Sequence, residues 1–230
     1  MVMAMAPITL PEELLVLAYD DESGRAVGSR IALDLGMAAA ILVELALVGR
    51  LTMSADMLVV KDNTPVGDPI LDAVLAKIDS DTPHAAASWL QRLRHGLRDK
   101  VLADLVERGV VRDVDETAMG GVIHLHRYPT ADRSHEAAIR ARLADALTGQ
   151  SVPDERTAAL ATLLAAARME PTLHLDSDAL EQAHKRLEEI SAGAGFGGGI
   201  SMEESTIRPS ISLVIAALGR AISQALGARA

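Results

Sequence analysis

A chain of 230 residues that is 49% hydrophobic but only 2% aromatic can bury a sizeable core, and that core must be packed with Ala, Leu, Val and Ile. The absence of cysteine excludes disulfides, thiolate metal sites and cysteine nucleophiles together, and it fits a reducing compartment. A net charge of −10 argues against generic nucleic-acid binding, which rests on neutralising phosphates.

The opening residues MVMAMAPITL carry neither a basic region nor an apolar run of signal length, so no export signal is expected and 1–8 is read as a disordered N-terminus. Thr9 then suits a helix N-cap, with Pro11, Glu12 and Glu13 in the first turn and Leu14, Leu15, Leu17 and Ala18 as the buried side. A turn at 20–24 leads to a core helix over 34–51, where Met37, Ile41, Leu45 and Val48 recur at helical spacing. Glu44 is its only charge between Leu35 and Val48, and Gly49 ends it. Short strands follow at 50–53 and 57–61. Asp68 then caps a helix that begins at Pro69, with Ile70, Leu71, Val74, Leu75 and Ile78 as its stripe.

The spacing of Leu90, Leu93, Leu97, Val101, Leu102 and Leu105 predicts one continuous helix over 89–106, ended near Gly109. Beyond it, 110–114 and 122–126 pair as a hairpin around 115–121. Both stretches run helix, Gly, strand, turn, strand, which suggests two copies of one unit. Further helices are expected at 132–147, 154–168, 176–192 and 210–226, with a flexible Gly-rich loop over 191–205. The fold class expected is therefore mainly α, a single globular multi-helix domain over 9–230 with short β-hairpins after two Gly-terminated helices. The longest uncharged runs, near 35–43 and 211–219, fall well short of the ~20 residues that span a bilayer.

Catalytic chemistry is scarce. GAGFGGG at 193–199 lacks the Lys-Ser/Thr of a phosphate loop, and neither G-x-S-x-G nor H-E-x-x-H occurs. His124 and His126 share a strand face but have no third ligand nearby, so no metal is expected. The carboxylates are scattered, and the chain is read as non-enzymatic with no cofactor. The one constellation is basic: 89–112 holds six Lys/Arg against three Asp/Glu. On a continuous helix Arg94 and Arg98 are i,i+4 neighbours and His95 and Arg98 are i,i+3 neighbours, with Arg92 and Lys100 extending the patch. Guanidinium forks suit phosphate oxygens. On spacing alone, a solvated face paired with Asp99 and Asp104 is the favoured reading of this segment. A helix followed by a hairpin is also the shape of a winged-helix DNA binder, but the net charge opposes that reading.

Five segments in order, LPEELL at 10–15, ELALVGRL at 44–51, PVGDPILD at 65–72, LVERGV at 105–110 and DERTAAL at 154–160, resemble the Golgi phosphoprotein 3 family, particularly its bacterial members. The resemblance covers nearly the whole chain. It implies a mostly helical peripheral membrane adaptor that is not an enzyme. In that family phosphatidylinositol 4-phosphate sits in a basic pocket of one Trp and several Arg, and the hairpin after the second Gly-ended helix serves self-association and membrane contact. Carried over, the Trp position falls near Ser29, the Arg of the central helix at Ala38, and the two Arg of the basic helix at His95 and Arg98. Trp89 matches a different, structural Trp.

The lipid-headgroup set expected is thus Arg98, His95, Arg94, Arg30 and Ser29, and the interaction hairpin is Val110, Val122, Ile123 and Leu125. The partners expected are an anionic phospholipid surface and a second copy of the chain, not nucleic acid. The location expected is cytoplasmic, peripheral on the inner face of the membrane. The alternative is a scaffold that self-associates through 110–128 without binding lipid.

Overall fold

Thr9, Pro11 and Glu12 start the first helix as their chemistry dictates. Glu12, at the third helical position, accepts the Thr9 N–H at 2.6 Å, and α1 (Leu10–Ala18) follows. A computed structural model describes residues 8–20, 26–118, 123–131, 133–149, 153–191 and 202–227. The expected disordered stretch 1–7 and the turn at 21–24 lie outside these. Ile8 is held in place, its carbonyl accepting from Arg156 at 2.7 Å.

The central helix is α2 (Arg30–Leu47), which starts four residues before the expected 34: the Ser29 carbonyl accepts the Leu33 N–H at 3.0 Å and Arg30 lies one turn from Asp34. Asp34 excepted, every residue from 32 to 46 is buried. The helix ends in a Schellman motif, with Arg50 N–H on the Leu45 carbonyl (2.8 Å) and Gly49 N–H on that of Ala46 (3.0 Å). β1 (Leu51–Ser54) and β2 (Met57–Val60) follow, antiparallel from Leu51↔Val60 to Ser54↔Met57. Ala55 and Asp56 at the turn both have positive φ, as a two-residue hairpin turn with right-handed strand twist requires.

Asp68 caps α3 (Pro69–Asp79), accepting from Ile70 and Leu71 N–H at 2.8 Å each. The single helix expected over 89–106 is two: α4 (Ala86–Leu93) and α5 (Leu97–Glu107). Gly96 between them has φ +79°, a left-handed conformation that no helix interior contains. The apolar stripe runs through the break because Leu93 and Leu97 both face the core, so periodicity alone could not reveal it.

α5 ends as α2 does, with Val110 N–H on the Leu105 carbonyl (2.8 Å) and Gly109 N–H on that of Val106 (3.0 Å). The two helix–Gly–hairpin units thus share one hydrogen-bond pattern. They differ beyond it: β3 (Val114–Ala118) pairs with β4 (Ile123–Arg127) only after a lead of irregular pairing, in which Arg112 N–H meets the Pro129 carbonyl at 3.0 Å. The rest is α6 (Arg133–Leu147), α7 (Glu155–Ala166), a 3₁₀ turn (Glu170–Leu173), α8 (Ser177–Ser191) and α9 (Met202–Gly227). The loop expected over 191–205 falls outside the described residues at 192–201, while Ser191 ends α8 and 202–205 are helical. One core joins these helices, with α2 packed against α1, α4, α5, α7 and α9.

Buried charge organises one side of that core. Glu44, only 6% exposed, accepts the Leu10 N–H (2.6 Å) and an Arg156 N–H (2.8 Å). Arg156 also lies 3.5 Å from Glu13, whose other oxygen is 2.8 Å from Arg142. Arg108 reaches Glu12 at 2.5 Å. The lattice ties α1 to α2, α5, α6 and α7, and each buried carboxylate in it has a cationic partner, as burial requires.

Candidate functional site

The N-terminus of α2 opens into a cavity of about 560 Å³. Its first N–H groups have no intrahelical acceptor, and the Ser29 side chain makes no capping bond. The end of α1 is brought alongside by a Tyr19↔Ala26 bridge and by the Val27 N–H on the Ala18 carbonyl (2.7 Å). Arg98 enters from the first turn of α5, Arg127 from the end of β4 and Tyr128 from the residue after it. The Tyr19 and Tyr128 rings meet edge to face, centroids 5.5 Å apart.

Arg98 is well buried, its side chain 12% exposed. Asp34 lies 3.5 Å away and Asp99 3.0 Å away. Burial works against its charge, but the Asp99 hydrogen bond and the attraction of Asp34 outweigh it and leave its pKa raised. Burial pushes the Tyr19 hydroxyl up against the pull of Arg98, and it raises Tyr128 as well, with Asp113 and Asp99 adding to the effect. Both phenols therefore stay neutral and able to donate at neutral pH. Arg30 is largely exposed at the rim, 4.0 Å from Asp34.

Of the residues expected to hold a headgroup, Ser29, Arg30 and Arg98 share this cavity. His95 does not. It lines a second cavity of about 500 Å³ framed by α3, α4 and α5. Arg94 lines neither, and its Nε donates to His95 Nε2 at 3.2 Å. The shared helical face drawn for Arg94, His95 and Arg98 is thereby corrected, because Gly96 ends that face between them. Ala38 is fully buried along α2 and not on the cavity wall. Trp89 is a core residue, with His84 edge-on at 5.5 Å.

Sequence reasoning missed Tyr19, Arg127 and Tyr128. A usable signal existed for the first and last, since they are the only two tyrosines of an aromatic-poor chain. Within the expected interaction hairpin, Val110 is 5% exposed and packs in the core at the root. Ile123 and Leu125 pair through their backbones with Ala118 and Glu116, and Val122 lies outside the described residues. Among the described residues no group of three metal-ligating side chains converges, and no helix is long and apolar enough to cross a membrane.

The helical domain thus sets a helix N-terminus, three guanidinium groups and two phenols around one open cavity, donor types whose chemistry suits an oxyanion. The sequence profile of the Golgi phosphoprotein 3 (GPP34) family matches residues 10–224, and the chain belongs to that family. Vacuolar protein sorting-associated protein 74 of Eremothecium gossypii is 24% identical over a 169-residue alignment that covers 63% of this chain and 50% of that protein. The chain spans about half the length of this curated relative.

Proposed function

We propose that the protein is a non-enzymatic peripheral membrane adaptor that holds the phosphorylated headgroup of an anionic phospholipid, of the phosphatidylinositol 4-phosphate type, in the cavity at the N-terminus of α2. The observation that carries this reading is the convergence of Arg30, Arg98 and Arg127 on that helix end. Arg98 offers a fixed fork, Arg30 and Arg127 flank it, and the first amides of α2 add donors that cost no reorganisation. Asp34 and Asp99 neutralise part of this charge, and because Asp99 is largely exposed, solvent screens its bond to Arg98. Asp34 holds Arg98 in place in the absence of ligand. A chain of net charge −10 has no general attraction for an anionic surface, so docking is local to this cavity.

Co-sedimentation with vesicles tests it. The protein is expected to pellet with phosphatidylcholine vesicles containing phosphatidylinositol 4-phosphate and to stay in solution with phosphatidylcholine alone. Arg98→Ala should weaken binding about tenfold, with the fold confirmed by circular dichroism, and added salt should weaken it further. Equal binding to neutral and anionic vesicles, or undiminished binding by a folded Arg98→Ala variant, would sink the proposal.

A further inference from the structure

The second cavity forms where the chain fails to continue as a helix. Arg92 and Leu93 precede the break at Gly96, Leu97 and Lys100 follow it, and all four line a hollow of about 500 Å³ against α3. Its floor is apolar, with Val74, Leu93 and Leu97 buried and Ile70 partly so. Its rim is cationic. Lys77 and Lys100 have no ion pair among the described residues, in contrast to Arg98, which has two. Arg92 bonds to Asp81 at 2.9 Å, one turn beyond Lys77, and stacks over Trp89 with 5.8 Å to the ring centroid. Two carboxylates also border the hollow. Asp104 lies one turn along α5 from Lys100, about 6 Å away by helical rise, and is engaged by Arg108 at 3.1 Å; Glu107 lies two turns along, about 10 Å away. The lysine end of the hollow is therefore positive and the Glu107 end is not.

We propose that this cavity is a second, separate ligand site that takes a small anionic amphiphile, with an aliphatic or aryl body on Val74, Leu93 and Leu97 and its anionic head between Lys77 and Lys100. The volume falls within the range of small-molecule sites, about 300–1,000 Å³, and is too confined for a folded partner. The unneutralised lysines fix the sign of the head, and the apolar floor excludes a bare inorganic anion as the preferred occupant. The assignment is independent of the headgroup cavity, because no residue lines both.

The test is decanoate, added below its micellar range to the full chain and followed by calorimetry and by emission of Trp89, the chain's single tryptophan. Saturable binding at one site is expected, without competition from inorganic phosphate. The Lys77→Ala/Lys100→Ala double variant should weaken it about tenfold. Ala73→Phe, a change at an exposed lining position, should abolish it with the far-ultraviolet spectrum unchanged. Arg98→Ala should bind decanoate normally, and the double lysine variant should pellet with vesicles as the unmodified chain does. Absence of saturable binding, unchanged affinity in the lysine and Ala73→Phe variants, competition by phosphate, or loss in Arg98→Ala would overturn the site. Loss of vesicle binding in the lysine variant would assign the cavity to the membrane face and overturn a free ligand.

Discussion

Arg156 gathers two carboxylates and a main-chain carbonyl from three parts of the chain, Glu13, Glu44 and Ile8. Removing it leaves Glu44 buried without a cation, so Arg156→Ala is expected to cost about 3 kcal/mol in urea unfolding, the scale for breaking one side of a buried pair. A loss below the size of an ordinary surface change would contradict the lattice. Glu13 makes a second test. Its pKa is raised, because burial outweighs the opposing pull of Arg142 and Arg156, so the folded state binds its proton more tightly than the unfolded state does. Stability from this group is fully present below the unfolded value of 4.5 and is lost as pH rises through the raised folded value. The stability difference between the unmodified chain and Glu13→Gln should therefore fall as pH increases from 4.5 toward neutrality. A difference that is flat or climbs would refute the sign. None of these pairings could be read from spacing, since Arg156 stands 112 positions from Glu44. Yet LPEELL, ELALVGRL, LVERGV and DERTAAL, four of the segments that carry the family resemblance, supply Glu12, Glu13, Glu44, Arg108 and Arg156. In this chain those segments build the buried charge lattice.

At the scale of elements, the break at Gly96 decides which cations act together. Any residue with a Cβ at φ +79° is strained, and Gly96→Ala should lower stability by about 1–2 kcal/mol. A stabilised variant would mean that α4 and α5 merge into the continuous helix that periodicity predicts. The element ends most legible in the sequence were those that carry caps or Gly signals: Thr9 before α1, Asp68 before α3, and Gly49 and Gly109 after α2 and α5. The Gly96 break stayed hidden because Leu93 and Leu97 keep helical spacing across it. The early start of α9 was equally hidden, since an apolar stripe cannot mark a helix turn that is rich in polar residues.

For the whole molecule, the sequence supports the fold further than the site. Alternating apolar positions report burial, and burial is local to each helix. The cavity at the end of α2 instead depends on Tyr19, Arg98 and Tyr128 arriving from three elements, a juxtaposition only topology produces. Membership of the Golgi phosphoprotein 3 family rests on a match over residues 10–224, and the cavity gives that membership a specific expectation. The most direct measurement is a crystal of the full chain soaked with glycerophosphoinositol 4-phosphate, the soluble headgroup. Density for its phosphate is expected beside the Arg98 guanidinium and the first amides of α2, within reach of Arg127. Density confined to the cavity beside Lys77 and Lys100, or an unoccupied α2 cavity at saturating headgroup, would contradict it.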